Sequence, residues 1–350
     1  MYTFKTTERT NDKATEYETK SLLYLMTKIK GHNRIDVFII DCFNDVSGTN
    51  SKSTEVWDVQ SKGVSSLTPR KIGESLYTLY ENYISEFAFH HYILFMPILK
   101  IGYLNDNKQE AFCLSNFLTI KRNDVTEGLK TEIIRRYNIE FPGRKITSLT
   151  EEETLKVSEF LKEVIFITDR YQKFEYIKDI VLFKNASFKT DEFFTLIFDE
   201  IRVSQSGKKI KNISGKSVSS IKEVLQFDKN IHRKDIEMLV INRIVGYDIF
   251  QSFGLPISFI EQVIGLDVED LKDLTQSCRA QIARTLFNKN NKRAFWLLLE
   301  EIITQATEDN KASIDAIFDK IPSDIRKKVF TLNEISLLFL ISLIKDGLNI

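Results

Sequence analysis

Cysteine is scarce in this chain of 350 residues: Cys42, Cys113 and Cys278 are the only three. Odd in number and widely spaced, they exclude a disulfide framework and a paired-CxxC zinc site, and they fit a reducing compartment. Histidine is almost as rare, and the four present (His32, His90, His91, His232) form no i, i+4 pair that could hold zinc from one helix face. Thirteen glycines and five prolines are too few for a collagen-like or low-complexity chain. Neither sign of charge prevails, with 49 Lys plus Arg against 49 Asp plus Glu. No global basic field therefore marks nucleic acid, and any such site has to be a local patch. Long apolar runs are missing as well. The longest, 335–344, is interrupted by Ser336 and Ser342 and falls well short of the roughly 20 residues that cross a bilayer. The stretch from Met1 to Asp12 is polar, without the apolar core of a signal peptide. The expectation is a cytoplasmic protein with no membrane partner. Finally, no G-x-S-x-G, Walker P-loop or G-x-G-x-x-G occurs, which argues against serine hydrolase, NTPase and dinucleotide-binding readings.

Hydrophobic residues at 43% and charged residues at 28% are globular values, and the length suggests two domains at about 150 residues each. Leu22, Leu25, Met26 and Ile29 recur at helical spacing, predicting an amphipathic helix over 15–29. Residues 35–43 and 55–62 read as strands separated by a polar turn over 44–54. Pro69 opens a helix that runs to about residue 84, and 91–97 is a buried strand. A further strand is expected near 111–114. The order α-β-β-α-β predicts an N-terminal mixed α/β domain over 1–145. Thr150 and Glu153 match a capping box, and a brief extended segment is expected at 165–168. From Asp191 onward helical periodicity dominates, so 146–350 is expected to be a mainly α domain for oligomerisation or partner binding. Its densest apolar stretches, Phe295 to Leu299 and Leu337 to Ile344, are expected to place some residues in a subunit interface.

The candidate chemistry lies in the first domain. Side chains alternate across a strand, so Asp58, Gln60 and Lys62 share one face while Trp57, Val59 and Ser61 take the other. Polar groups gathered on one face need solvent or a partner. Asp41 and Asp45 close the preceding strand and approach this one. Glu18 lies at i−4 from Leu22 and i−7 from Leu25, on the apolar stripe of the first helix, where a carboxylate is costly unless paired or metal-bound. Elsewhere, Arg202 to Lys222 carries Lys208, Lys209, Lys211 and three further cations with no acid between them. Interleaved Ser and Gly make it a candidate loop to follow a phosphate backbone.

Glu, Asp and Gln-x-Lys in this order resemble the PD-(D/E)XK, or restriction-endonuclease-like, superfamily. There an Asp at a strand end and an acid or Gln on the next strand hold Mg²⁺, and the Lys two residues on serves the attacking water. Asp41-Cys-Phe-Asn-Asp45-Val and Trp57-Asp-Val-Gln60-Ser-Lys62 are similar to the double-stranded-DNA nuclease domain of bacterial anti-phage effectors, such as the CD-NTase-associated nucleases and the Lamassu nuclease subunit. The resemblance spans roughly residues 10–140. It implies an Mg²⁺- or Mn²⁺-dependent endodeoxyribonuclease with Asp45, Gln60 and Glu18 as metal ligands and Lys62 as the catalytic lysine. It also implies control by homo-oligomerisation or by a sensor such as an SMC-like ATPase. Gln60 stands where the superfamily more commonly has an acid, and Asp58, on the same face two residues earlier, could supply the missing charge, while either Asp41 or Asp45 could be the metal aspartate. Two other readings share these residues: a non-catalytic interaction protein on a degenerate nuclease fold, and a nuclease directed at RNA.

Overall fold

The computed structural model describes residues 1–4, 12–64, 67–183, 189–246, 248–249 and 254–348. After β1 (Tyr2–Thr3) and α1 (Asp12–Thr27) come three successive strands, β2 (Val37–Ile40), β3 (Val46–Thr49) and β4 (Val56–Ser61). Two short helices, α2 (Pro69–Glu74) and α3 (Tyr77–Tyr83), lead to β5 (His91–Pro97) and β6 (Ala111–Phe112). The long α4 (Thr119–Glu140) and α5 (Glu151–Glu163) precede β7 (Val164–Asp169). Then follow α6 (Lys173–Ile180), α7 (Asp191–Lys209), β8 (Ser217–Val218), α8 (Ile221–Val224) and β9 (Asn230–His232). The last helices are α9 (Arg233–Val245), α10 (Val268–Phe287), α11 (Lys292–Glu308), α12 (Ile314–Lys320), α13 (Ser323–Lys328) and α14 (Glu334–Gly347).

Seven strands form one mixed sheet in the order β6-β7-β5-β4-β3-β2-β9, and β1 pairs separately with β8. β2, β3 and β4 form an antiparallel meander, whereas β4, β5 and β7 run parallel. Parallel strands are covered on both faces, which is why β5 reads as the unbroken apolar run Tyr-Ile-Leu-Phe-Met. On one face Tyr17 and Tyr24 of α1 pack against Phe95, and on the other Tyr83 of α3 and Phe160 of α5 pack against Tyr92.

Local signals hold where they are strong. Thr68 caps α2 with Pro69 in its first turn, and Thr150 and Glu153 form a reciprocal capping box on α5. Three expectations are corrected. First, the polar stretch after β2 is not all turn, because Val46-Ser-Gly-Thr49 is β3 and is buried throughout. Its hydroxyls are satisfied internally, Ser47 donating to Asp58 and Thr49 to the Glu55 carbonyl. A Cβ on Gly48 would lie 2.9 Å from Ile35, so glycine is the residue that fits. Second, the α/β part does not end at residue 145. β7 pairs with β5 and β9 with β2, so the two compact units are 1–176 with 198–233, and 177–197 with 234–350. Third, 202–209 is helix rather than loop, because α7 runs to Lys209.

The second unit is helical, with a core that includes Phe295, Trp296, Leu298 and Leu299 of α11 and residues 337–344 of α14. The apolar stretches expected to reach an interface are thus mostly consumed internally, with Leu337 also lining a surface groove. No described helix is long and apolar enough to cross a membrane.

α4 was not legible, since only Val125, Gly128, Leu129 and Glu132 of its 22 residues are buried. It docks by backbone contact with α2. A Cβ on Gly128 would lie 2.1 Å from the Arg70 carbonyl oxygen, and one on Gly73 would lie 1.9 Å from that of Val125. Overpacking against backbone cannot be relieved by a rotamer change. Gly128→Ala should therefore cost roughly 3 kcal/mol, read as a lower urea midpoint at unchanged slope.

Candidate functional site

β3 and β4 run antiparallel, so the start of β3 meets the end of β4. Asp45 stands immediately before β3, and Gln60-Ser61 end β4 with Lys62 just beyond. One oxygen of Asp45, Oδ2, accepts from Ser61 N at 2.6 Å, Ser61 Oγ at 2.8 Å and Gln60 Nε2 at 2.7 Å. Since Gln60 and Ser61 point to opposite faces, Asp45 sits across the sheet end and is reached from both layers. Burial pushes its carboxyl up, and the Lys62 ammonium is the leading influence in the other direction.

The opposite end of the Gln60 side chain is anchored on α3. Thr78 Oγ1 donates to Gln60 Oε1 at 2.8 Å, and one turn later Asn82 Nδ2 donates to Asp58 Oδ2 at 2.7 Å. The i, i+4 pair on the helix thus matches the i, i+2 pair on the strand. Asp58 also accepts from Asn44 and Ser47, and is completely buried. Burial raises its carboxyl to about 6 against these three partners. With both oxygens occupied it is a structural node, and the negative charge of Asp45 adds to the upward shift of its carboxyl.

Asp41 is also committed elsewhere. It ends β2 in a left-handed conformation, φ 50°, which aspartate tolerates better than most residues. Its N–H donates to the Asp45 carbonyl at 3.1 Å, closing the hairpin, and its carboxylate pairs with Lys229 at 3.1 Å. Lys229 is wholly buried, donating also to the carbonyls of Lys209 and Lys211. Of the two aspartates open at the sequence level, Asp45 is the one in contact with Gln60.

Glu18 approaches from α1. It is 2% exposed and forms an ion pair with Lys209. Burial first, then the negative charge of Asp45, with a smaller contribution from Asp41, pushes its carboxyl up to about 7, while Lys209 opposes the shift. The structure therefore brings Asp45 and Gln60 into contact, places the Lys62 charge on Asp45, and sets Glu18 within reach of Asp45's field. It engages Lys208, Lys209 and Lys211 of the basic stretch in ion pairs within the chain. Lys209 turns inward to Glu18, and Lys208 and Lys211 pair with Asp228 at 2.8 and 2.6 Å. The acids that neutralise them lie elsewhere in the sequence, which is why an acid-free stretch suggested a free patch.

Two residues were missed. Ser61 supplies two of the three donors to Asp45, yet alternation assigned it to the other face, and its backbone N–H carries no side-chain signal. Thr78 lies 18 positions from Gln60, and only the helix–strand packing shows their contact.

Among the described residues no three of His, Cys, Asp and Glu stand together as a metal cage. Asp45 and Glu18 supply two hard carboxylates, so a divalent cation here would need the Gln60 amide oxygen and water in addition. The donor set fits. Both carboxylates are raised by burial, a cost that a bound cation would offset. No family model, curated protein or solved structure matches the chain. What the fold itself defines is a mixed α/β unit with a seven-stranded sheet flanked by helices, joined to a mainly helical unit.

Proposed function

We propose that the α/β unit is a Mg²⁺- or Mn²⁺-dependent endodeoxyribonuclease of PD-(D/E)XK type. The observation that carries this is the hydrogen-bonded corner of Asp45 with Gln60 and Ser61, beside which Lys62 projects its charge. An aspartate at a strand start, a glutamine on the next strand and a lysine two residues on support this reading. Asp45, Glu18 and Gln60 hold the metal, which when bound supplies Lewis acidity toward a phosphodiester and its attacking water. Lys62 lies where negative charge develops on the scissile phosphate and stabilises it. The resemblance assigns double-stranded DNA as substrate, anti-phage defence as setting, and a homo-oligomer or an SMC-like sensor as the control, within the cytoplasm.

One observation favours the non-catalytic reading. Gln60 turns Nε2, not Oε1, toward Asp45, so the corner is satisfied without any cation. The chemistry of Thr78 reconciles this with metal binding. A threonine hydroxyl can donate or accept, whereas an ionised carboxylate only accepts. Without a cation the amide N–H₂ must therefore face Asp45. With one, a half-turn of the amide would direct Oε1 toward the ion and Nε2 toward Thr78, giving up only the longer bond from Nε2 to the Ser61 carbonyl at 3.3 Å. Thr78→Val removes the group that makes both orientations available. Mn²⁺ affinity by calorimetry should fall about 10-fold or more, and Thr78→Ser should restore it. Equal affinity in the valine variant would show that Gln60 is not a ligand.

The activity is tested with supercoiled plasmid incubated with the purified chain in Mg²⁺, in Mn²⁺ and in EDTA, beside an RNA of equal length. Cleavage of DNA that EDTA abolishes is expected. Cleavage of RNA alone would assign the site to the RNA-directed reading, and no cleavage of either in the presence of a sensor partner would favour the interaction protein.

A further inference from the structure

We infer that the helical unit assembles head to tail, an acidic aliphatic rib of one copy seating in a basic-rimmed groove of a second. The rib is the segment 257–270 leading into α10. Ile257, Ile260, Ile264, Leu266 and Val268 are exposed there by 79, 49, 78, 43 and 85%. Its charges are Glu261, Asp267, Glu269 and Asp270, with no Lys or Arg. The segment is not loosely attached. Phe259 and Val263 are buried beneath it, Ser258 Oγ donates to Asp346 at 2.6 Å, and Gln262 Nε2 donates to Asp315 at 3.0 Å. Five aliphatic side chains presented on a fixed segment are more than the scattered exposure usual for a surface.

The groove has a volume of about 390 Å³ and lies among α12, α13 and the start of α14. Phe318, Leu332 and Leu337 form its apolar lining, and Arg326, Lys327 and Glu334 its charged one. The Arg326 guanidinium lies 4.6 Å from the Phe318 ring centre, and its Nε is buried with no hydrogen-bond partner. Among the described residues neither Arg326 nor Lys327 has an ion pair. A buried guanidinium donor without an acceptor, over an apolar floor, selects a carboxylate flanked by aliphatic side chains. The rib offers that combination and no competing cation.

In a single copy the rib's aliphatic side chains stay exposed and, among the described residues, Arg326 and Lys327 have no ion pair, although Gln262 of the rib bonds Asp315 of α12, the helix that carries Phe318. Gln281 of α10 accepts from the N–H of Asn333, the cap of α14, so this end of α10 lies by the groove. Val268 starts the same helix about 20 Å away at about 1.5 Å per residue. Ser258 likewise bonds Asp346 at the far end of α14. Two different patches make a contact between copies heterologous, so it closes a ring or extends a chain of copies. This inference does not rest on the nuclease reading.

Sedimentation velocity of the full chain over a concentration series, at low and high salt, tests it. Wild-type protein should associate with concentration, less so in high salt. Ile264→Lys, and separately Lys327→Glu, should each weaken association more than about 10-fold without lowering the melting temperature, because both side chains are exposed. An equimolar mixture of the two variants should form dimers that grow no further, since one intact rib and one intact groove remain. A wild-type monomer at every concentration would overturn the inference, even if another protein later filled the groove. So would variants that associate like wild type, or a mixture that stays monomeric.

Discussion

Lys62→Ala is expected to reduce plasmid cleavage in Mg²⁺ by about 10²–10³-fold, the usual loss when one preorganised charge is withdrawn from a transition state. The fold should survive. The lysine side chain is half-exposed just past β4, and the hydrogen bond that fixes this residue, from Lys62 N to the Phe95 carbonyl at 2.9 Å, belongs to the backbone. Stability should change by roughly 1 kcal/mol or less, checked by thermal melting. The substitution also removes the leading positive influence on Asp45. Divalent affinity should therefore be kept or slightly strengthened while turnover collapses. A variant that cleaves as fast as wild type would remove Lys62 from the site, even in a protein proved to be a nuclease.

Asp45 should be at least as sensitive, with a different signature. Asp45→Ala strips the acceptor from Ser61 N, Ser61 Oγ and Gln60 Nε2 at once. Buried donors left unsatisfied cost about 1–3 kcal/mol each, so this variant loses stability as well as activity. Asp45→Asn separates the two effects. Its amide oxygen still accepts from Ser61, and only the charge is lost. The expected result is a near-native melting temperature, Mn²⁺ affinity lowered beyond detection by calorimetry, and no cleavage. Retained Mn²⁺ binding by Asp45→Asn would mean that any cation bound by this protein lies elsewhere.

How much of this was legible in the sequence follows from the range of the interactions. The apolar run of β5, the Thr150–Glu153 box and the proline opening α2 depend on neighbours within a few residues, and they read correctly. β3 did not, because Val-Ser-Gly-Thr has the composition of a turn. It is a strand because its hydroxyls find acceptors in the fold and its glycine fits against Ile35. The pairing of Asp45 with the end of β4 was expected from order along the chain, and the antiparallel register supplies the contact. The partners of the remaining charges were out of reach. Lys209 is 191 residues from Glu18, so its cation could be seen only as part of an unpaired basic stretch, and Lys229, 188 residues from Asp41, gave no signal at all. Asp58 shows the reverse error, since strand alternation placed it correctly beside Gln60 but could not show the two asparagines and the serine that occupy it.

The central claim is that the corner formed by Asp45, Gln60 and Glu18 holds a divalent cation next to Lys62. Anomalous scattering from crystals of the wild-type chain grown with Mn²⁺ tests it most directly. The account predicts a manganese peak in contact with the Asp45 carboxylate and with Gln60 Oε1, the amide having turned so that Nε2 meets Thr78. A peak at another site, or Asp45 still accepting from Gln60 Nε2 with no metal beside it at saturating Mn²⁺, would contradict it.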